Sequence, residues 1–158
     1  MAKRTKERRN FLAGIITTAI EGGIGYWASA RNYEWGTVEG GRHSIDYGGE
    51  HYASALVRPH SDRWEDVAED GYPRREEALP PVRYGIAGED APMVKWGVLD
   101  IDAIAHGIGL LRKDDCKVAP RIRAAILGAS AINECGDIDA DYADVIVQSA
   151  LLGEVVFG

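Results

Sequence analysis

Glu21-Gly22-Gly23, followed closely by Tyr26 and Trp27, is the stretch of this sequence best suited to meet a ligand. Paired glycines let a backbone approach a small molecule, a carboxylate accepts hydrogen bonds, and an aromatic ring stacks on a base or a sugar. Glu21 also falls at the end of a helical pattern, where the helix dipole disfavours a negative charge. The plainer reading is a helix C-cap followed by two aromatics that begin the core. Arg121 and Arg123 are the best anion candidates, because they sit in the first turn of a helix opened by Pro120, where free backbone N–H groups already favour negative charge. Their plainer reading is a surface pair. Asp144 and Gln148 stand four residues apart on the last helix. They could meet a ligand or a subunit, or form a solvated polar stripe.

Other patterns fail on inspection. Asp137-x-Asp139-x-Asp141 opens like a calcium loop, but Tyr142 stands where the turn needs Gly and Gln148 where a bidentate Glu is required, so helix capping accounts for these carboxylates better. His43, His51, His60 and His106 form no H-E-x-x-H and no Cys/His cluster, and neither a metal nor a cofactor is expected. His43 and His51 flank a turn and could meet across a hairpin. Gly40-Gly41-Arg42-His43 lacks the lysine and the following helix of a phosphate loop. Gly128-Ala129-Ser130-Ala131 lacks the second glycine of a nucleophile elbow. No catalytic set emerges. A small hydrolase using Glu21 or the acidic cluster is the enzymatic option that is left.

The elements that must position these residues belong to a chain of 158 residues, enough for one domain with a sizeable core. The formal charge is −7. Lys3, Arg4, Lys6, Arg8 and Arg9 face only Glu7 at the start, which makes 1–9 a basic N-terminal extension on an acidic body. An acidic body argues against direct DNA binding, because duplex affinity comes largely from neutralised phosphates. The basic tip could touch an acidic partner or simply solvate a helix start. Cys116 and Cys135 belong to no C-x-x-C pair and fit a reducing compartment. The apolar run from Phe11 is broken by Thr17 and Thr18 and is too short for a membrane span, so a soluble intracellular protein is expected.

Apolar periodicity predicts a helix over 6–21, ended by Gly22-Gly23 and Gly25. A strand over 26–35 follows, with Trp27, Ser29, Arg31, Tyr33 and Trp35 on one face. Gly40-Gly41 marks a turn, and a second strand runs over 52–58. Residues 59–81 form a long acidic, proline-rich connection, with further strands at 82–87 and 93–99. Three helices close the chain. The first is capped by Asp100 or Asp102. The second opens at Pro120 with Ile132 inward and closes at Gly136. The third runs from Ala140 to about Leu152 behind Asp137 or Asp139. The residues after it form a short strand or an anchored tail. The whole is a single α+β domain with an antiparallel sheet. The aromatic-rich sheet and apolar final segment suggest a homo-oligomer.

Two segments carry a resemblance. Glu21-Gly22-Gly23-Ile24-Gly25-Tyr26-Trp27 is similar to an E-G-G-x-x-Y-W signature, and residues 139–158 are similar to a closing D-A-x-x-A-D-V-I-V-Q-x-A-L-x-G-E-V-V-x-G signature. Together they resemble a family of small bacteriophage proteins, notably of phages of actinobacteria. Phe157 stands where Tyr is usual and Leu152 where Phe is usual. The resemblance implies a phage protein acting in the host bacterial cytoplasm, and it brings no activity with it. The expectation is a non-enzymatic accessory protein that binds a host component, in one version a counter-defence sponge for a nucleotide-like signal. In that version Arg121 or Arg123 holds phosphate and Tyr26 or Trp27 stacks. The alternative is a protein-binding inhibitor whose acidic 62–77 segment faces a basic surface on a host nucleic-acid-associated or defence enzyme.

Overall fold

Helix α1, Lys6–Thr18, starts where the Thr5 hydroxyl accepts the Arg8 N–H at 3.1 Å. The computed structural model describes residues 4–44, 48–59 and 97–157. α1 does not stop at the glycines. It widens into a π-type turn, Ala19–Gly23, closed by the Ile24 N–H on the Ala19 carbonyl at 3.0 Å. Strands β1 (Ala28–Thr37), β2 (Gly41–Arg42), β3 (His51–Pro59) and β4 (Gly97–Leu99) form an antiparallel sheet in the order β2-β1-β3-β4. Helices α2 (Ile101–Leu111), α3 (Pro120–Ala131) and α4 (Ala140–Leu152) follow. The architecture is the expected α+β arrangement, with one helix before the sheet and three after it. Among the described residues, no helix is long and apolar enough to cross a membrane.

The core lies between one sheet face and the helices. Phe11, Leu12, Ile15 and Ile16 of α1 join Ala53, Ala55 and Val57 of β3, Ile104, Ile108 and Leu111 of α2, and Ile146, Val147, Ala150 and Leu151 of α4. The alternation along β3 follows from the pleat, which turns every second side chain inward. β1 departs from its predicted face. Its register with β3 slips by one residue between Arg31 and Glu34, where Asn32 takes a left-handed conformation with φ 54°. The bulge reverses the alternation, so Ala28 and Ala30 before it and Tyr33 and Trp35 after it pack on the core, while Arg31 is exposed. Trp27 lies outside the strand, in a turn held by its N–H on the Ile24 carbonyl.

The helix ends also refine the reading. Asp100, not Asp102, caps α2 by accepting the Ala103 N–H at 2.9 Å; Asp102 pairs with Arg4 at 2.6 Å. Asp139, not Asp137, caps α4 through the Tyr142 N–H at 2.8 Å. α3 ends before Gly136. Asn133, at φ 54°, supplies the left-handed residue, and the Glu134 and Asn133 N–H groups return to the carbonyls of Ala129 and Ser130. That early end leaves Ile132 71% exposed instead of inward. The basic start is engaged in the fold: Arg9 pairs with Glu50, Lys6 donates to the Gly48 carbonyl, and Arg8 donates to Ser130 O and Asn133 Oδ1 while covering the Phe11 ring. The predicted 82–87 strand, nearly all of the 59–81 connection and the acidic 62–77 segment lie outside the described residues.

Helices α2 and α4 meet through Gly107. A Cβ there would stand 2.6 Å from the Ile146 carbonyl oxygen and 3.0 Å from Ala150 Cβ. A Cβ at Gly109, two residues along the same helix, would meet nothing within 4 Å. The two glycines therefore respond oppositely to alanine. Gly109→Ala raises stability by up to about 1 kcal/mol through helix propensity. Gly107→Ala lowers it by about 1–3 kcal/mol, because backbone must move. Urea denaturation midpoints of the two variants check both signs.

Candidate functional site

The Glu21-Gly22-Gly23 corner is where the π-type turn packs on the start of α4. A Cβ at Gly23 would stand 2.8 Å from the Ala140 carbonyl oxygen, so the glycine admits a close approach by the chain's own backbone. Gly22 has only ordinary contact distance to Ala140. Glu21 is exposed and accepts the Tyr33 hydroxyl at 3.0 Å. This approach brings the next residues, Tyr26 and Trp27, onto the side of α4 that carries Asp144 and Gln148.

Four of the residues singled out in the sequence converge there. Asp144 is 8% exposed and accepts three donors: Tyr26 Oη at 2.6 Å, Trp27 Nε1 at 2.7 Å and Gln148 Nε2 at 3.0 Å. Those hydrogen bonds hold the carboxylate charge away from water. Gln148 is fully buried. Its Oε1 accepts the N–H groups of Val156 and Phe157, both at 2.8 Å, and its Nε2 also donates to the Phe157 carbonyl at 3.1 Å. The Phe157 ring lies nearly parallel to Trp27, with centroids 5.2 Å apart and 11° between planes. The final segment is therefore anchored and not a strand. Trp27 is buried and stacks on Phe157; Tyr26 leaves its ring exposed and ties its hydroxyl to Asp144.

The arginines are placed elsewhere. Arg123 donates from Nε to the Leu111 carbonyl and from Nη2 to Lys113 O at 3.1 Å, so it satisfies carbonyls at the end of α2. Arg121 is exposed and makes no hydrogen bond or ion pair among the described residues. No hydrogen bond among the described residues joins either arginine to the Asp144 cluster. His43 and His51 do not meet, because β1 lies between β2 and β3. His43 packs on Trp35, and His51 stands opposite Thr37. Both cysteines are free thiols. Cys135 packs against Gly14, and burial, aided by Glu134, pushes its thiol up from the usual range. Among the described residues, no three His, Cys, Asp or Glu side chains are grouped to hold a metal ion.

A concave feature absent from the sequence reading opens between the α2–α3 loop and the end of α4. It is a cleft of about 540 Å³ lined by Leu110, Lys113, Asp115, Lys117 and Val118 from the α2–α3 loop side and by Ser149, Glu154 and Val155 from α4 and the segment after it, so two carboxylates face it beside the two lysines. Lys113 and Lys117 fall in an irregular loop with no motif, so only the lysines' proximity in sequence could have signalled it.

Fold and site thus define a small α+β protein organised around a buried carboxylate, with a neighbouring cleft lined by lysines and carboxylates. No protein-family model, curated protein or solved structure matches the chain.

Two outcomes follow from the cluster. Asp144→Asn keeps one acceptor oxygen but adds two donors among three existing ones. It is expected to cost about 3 kcal/mol, as a charged hydrogen-bond acceptor is lost and the buried Trp27 N–H is left short of a partner. Urea denaturation followed by tryptophan fluorescence reads that loss. The second concerns alkaline pH. Burial and then Asp144 push the Tyr26 phenol up from 10.0 to about 12; burial, with a further push from Glu21 against a hydrogen bond with Thr17, takes Tyr33 to about 12. Each phenol holds its proton longer in the folded chain than in the unfolded one, so stability falls as pH rises from about 10 towards about 12. Replacing both with Phe should flatten the decline of the urea midpoint across that window.

Proposed function

We propose that this chain is a non-enzymatic binding protein, a phage accessory factor that captures a host component, with a small nucleotide-like anion as ligand. The observation that carries the reading is the contrast between the two sites. At the Asp144 cluster every strong donor and acceptor is matched within the chain, which suits structure and binding more than turnover. In the cleft, Lys113 and Lys117 stand beside the apolar Leu110 and Val118, with Asp115 and Glu154 also in the lining, a set that suits a ligand carrying an anionic group for the lysines and hydrogen-bond donors for the carboxylates. Its volume of about 540 Å³ falls within the usual range for small-molecule sites. The phage context rests on the two resembling segments, whose second half supplies Asp144, Gln148 and Phe157. Self-association belongs to the same proposal and is supported by Tyr26, Val155 and Val156, which stay 58%, 40% and 39% exposed on and beside the final segment.

Native mass spectrometry of gently purified protein, followed by titration with a nucleotide panel, tests the reading. The expected result is a nucleotide-sized adduct or a saturable heat of binding, weakened about tenfold or more in Lys113→Ala/Lys117→Ala, as loss of charged hydrogen bonds requires. Equal binding by that double variant, or no binding by any member of the panel, overturns it. The same spectra report the subunit number.

A further inference from the structure

The residues around Asp144 do something that a purely internal polar cluster does not require. Gln148 reads main chain: its single carboxamide takes two N–H groups and one carbonyl from consecutive residues, Val156 and Phe157. One side chain is read as well, the Phe157 ring, which lies flat on Trp27. The other side chains of the segment are ignored, since Val155 and Val156 remain 40% and 39% exposed. Gln148 and Trp27, 0% and 2% exposed with the segment seated on them, both donate to the same Asp144 oxygen, which sets the carboxamide and the indole relative to each other. Main-chain hydrogen bonds for affinity, with side-chain pockets for specificity, is how one class of peptide-recognition site, that for extended segments, is built.

We infer that the corner formed by Tyr26, Trp27, Asp144 and Gln148 is a recognition site for a peptide segment bearing an aromatic residue, occupied here in cis by Val156 and Phe157. The partner is a protein that presents such a segment. This inference does not rest on the cleft reading. The cis occupant hangs from α4 through Gly153, whose φ of 84° is a left-handed bend where a Cβ would meet nothing within 4 Å. Residues 154–157 contain no helix or strand, so releasing them breaks the Gln148 bonds, the Tyr26 hydroxyl's bond to the Phe157 carbonyl and one ring stack, takes Glu154 and Val155 from the cleft wall, and leaves the sheet untouched. A tethered occupant competes at a high effective concentration, of millimolar order for a short linker. An outside segment therefore binds best when the cis aromatic is weakened.

The test uses the 158-residue chain carrying Phe157→Ala and the peptide acetyl-Glu-Val-Val-Phe-Gly-amide. The readout is hydrogen exchange of the Trp27 indole N–H, assigned by comparison with Trp27→Phe. The expected result is exchange about tenfold or more faster in Phe157→Ala, as local opening becomes easier. The peptide in trans should restore protection saturably, and the same peptide with Ala in place of Phe should not. Unchanged protection in Phe157→Ala, or equal effects of the two peptides, overturns the inference. If Phe157→Ala does not fold, Phe157→Leu keeps apolar bulk without the flat stack and is judged by the same two criteria.

Discussion

A single buried carboxylate ties the ends of this structure together. Asp144 sits on α4 and accepts hydrogen bonds from a tyrosine and a tryptophan that precede β1, and from a glutamine one turn along its own helix. A charge removed from water persists only where donors surround it, and here the donors come from segments more than a hundred positions apart. The sheet can therefore leave α1 in only one direction if Trp27 and Tyr26 are to reach α4. The final segment follows from the same constraint, because Gln148, oriented by Asp144, holds Phe157 against Trp27.

Close backbone approach makes that geometry possible. Gly23 lets the π-type turn settle on the first turn of α4, and Gly107 lets α2 and α4 meet without a side chain between them. Both are positions where the smallest residue serves packing inside the chain. That changes the meaning of the Glu21-Gly22-Gly23 corner, whose glycines invite comparison with ligand-binding turns. The backbone that approaches Gly23 is the chain's own.

Features fixed by local chemistry were legible in the sequence. The Pro120 helix start and the capping of α2 and α4 by an aspartate each depend on residues within a few positions of one another, although the choice of Asp100 over Asp102 and of Asp139 over Asp137 did not show; the α+β layout followed from the order of helical and alternating apolar patterns. The pairing of Asp144 with Gln148 was visible as a four-residue spacing, and Tyr26 with Trp27 as an aromatic pair, but nothing local says that the two pairs meet. The bulge at Asn32 was hidden for a different reason. Aromatics at odd positions at both ends of the run, Trp27 and then Tyr33 and Trp35, read as one face, and only a left-handed residue inside the strand reveals that the face changes midway. The same residue type in the same conformation ends α3 at Asn133, ahead of the glycine that looked like the stop signal. The cleft is assembled from a loop and a helix end remote in sequence, so no spacing announced it.

If Asp144 is the hub, its partners must be energetically coupled through it and not merely adjacent. A double-mutant cycle on Trp27→Phe and Asp144→Asn, measured by urea denaturation, isolates that coupling. The expected interaction energy is above about 1 kcal/mol, as for groups sharing one buried hydrogen-bond network. Additivity of the two variants within about 0.3 kcal/mol would contradict it, because it would mean that the indole and the carboxylate stabilise the fold independently.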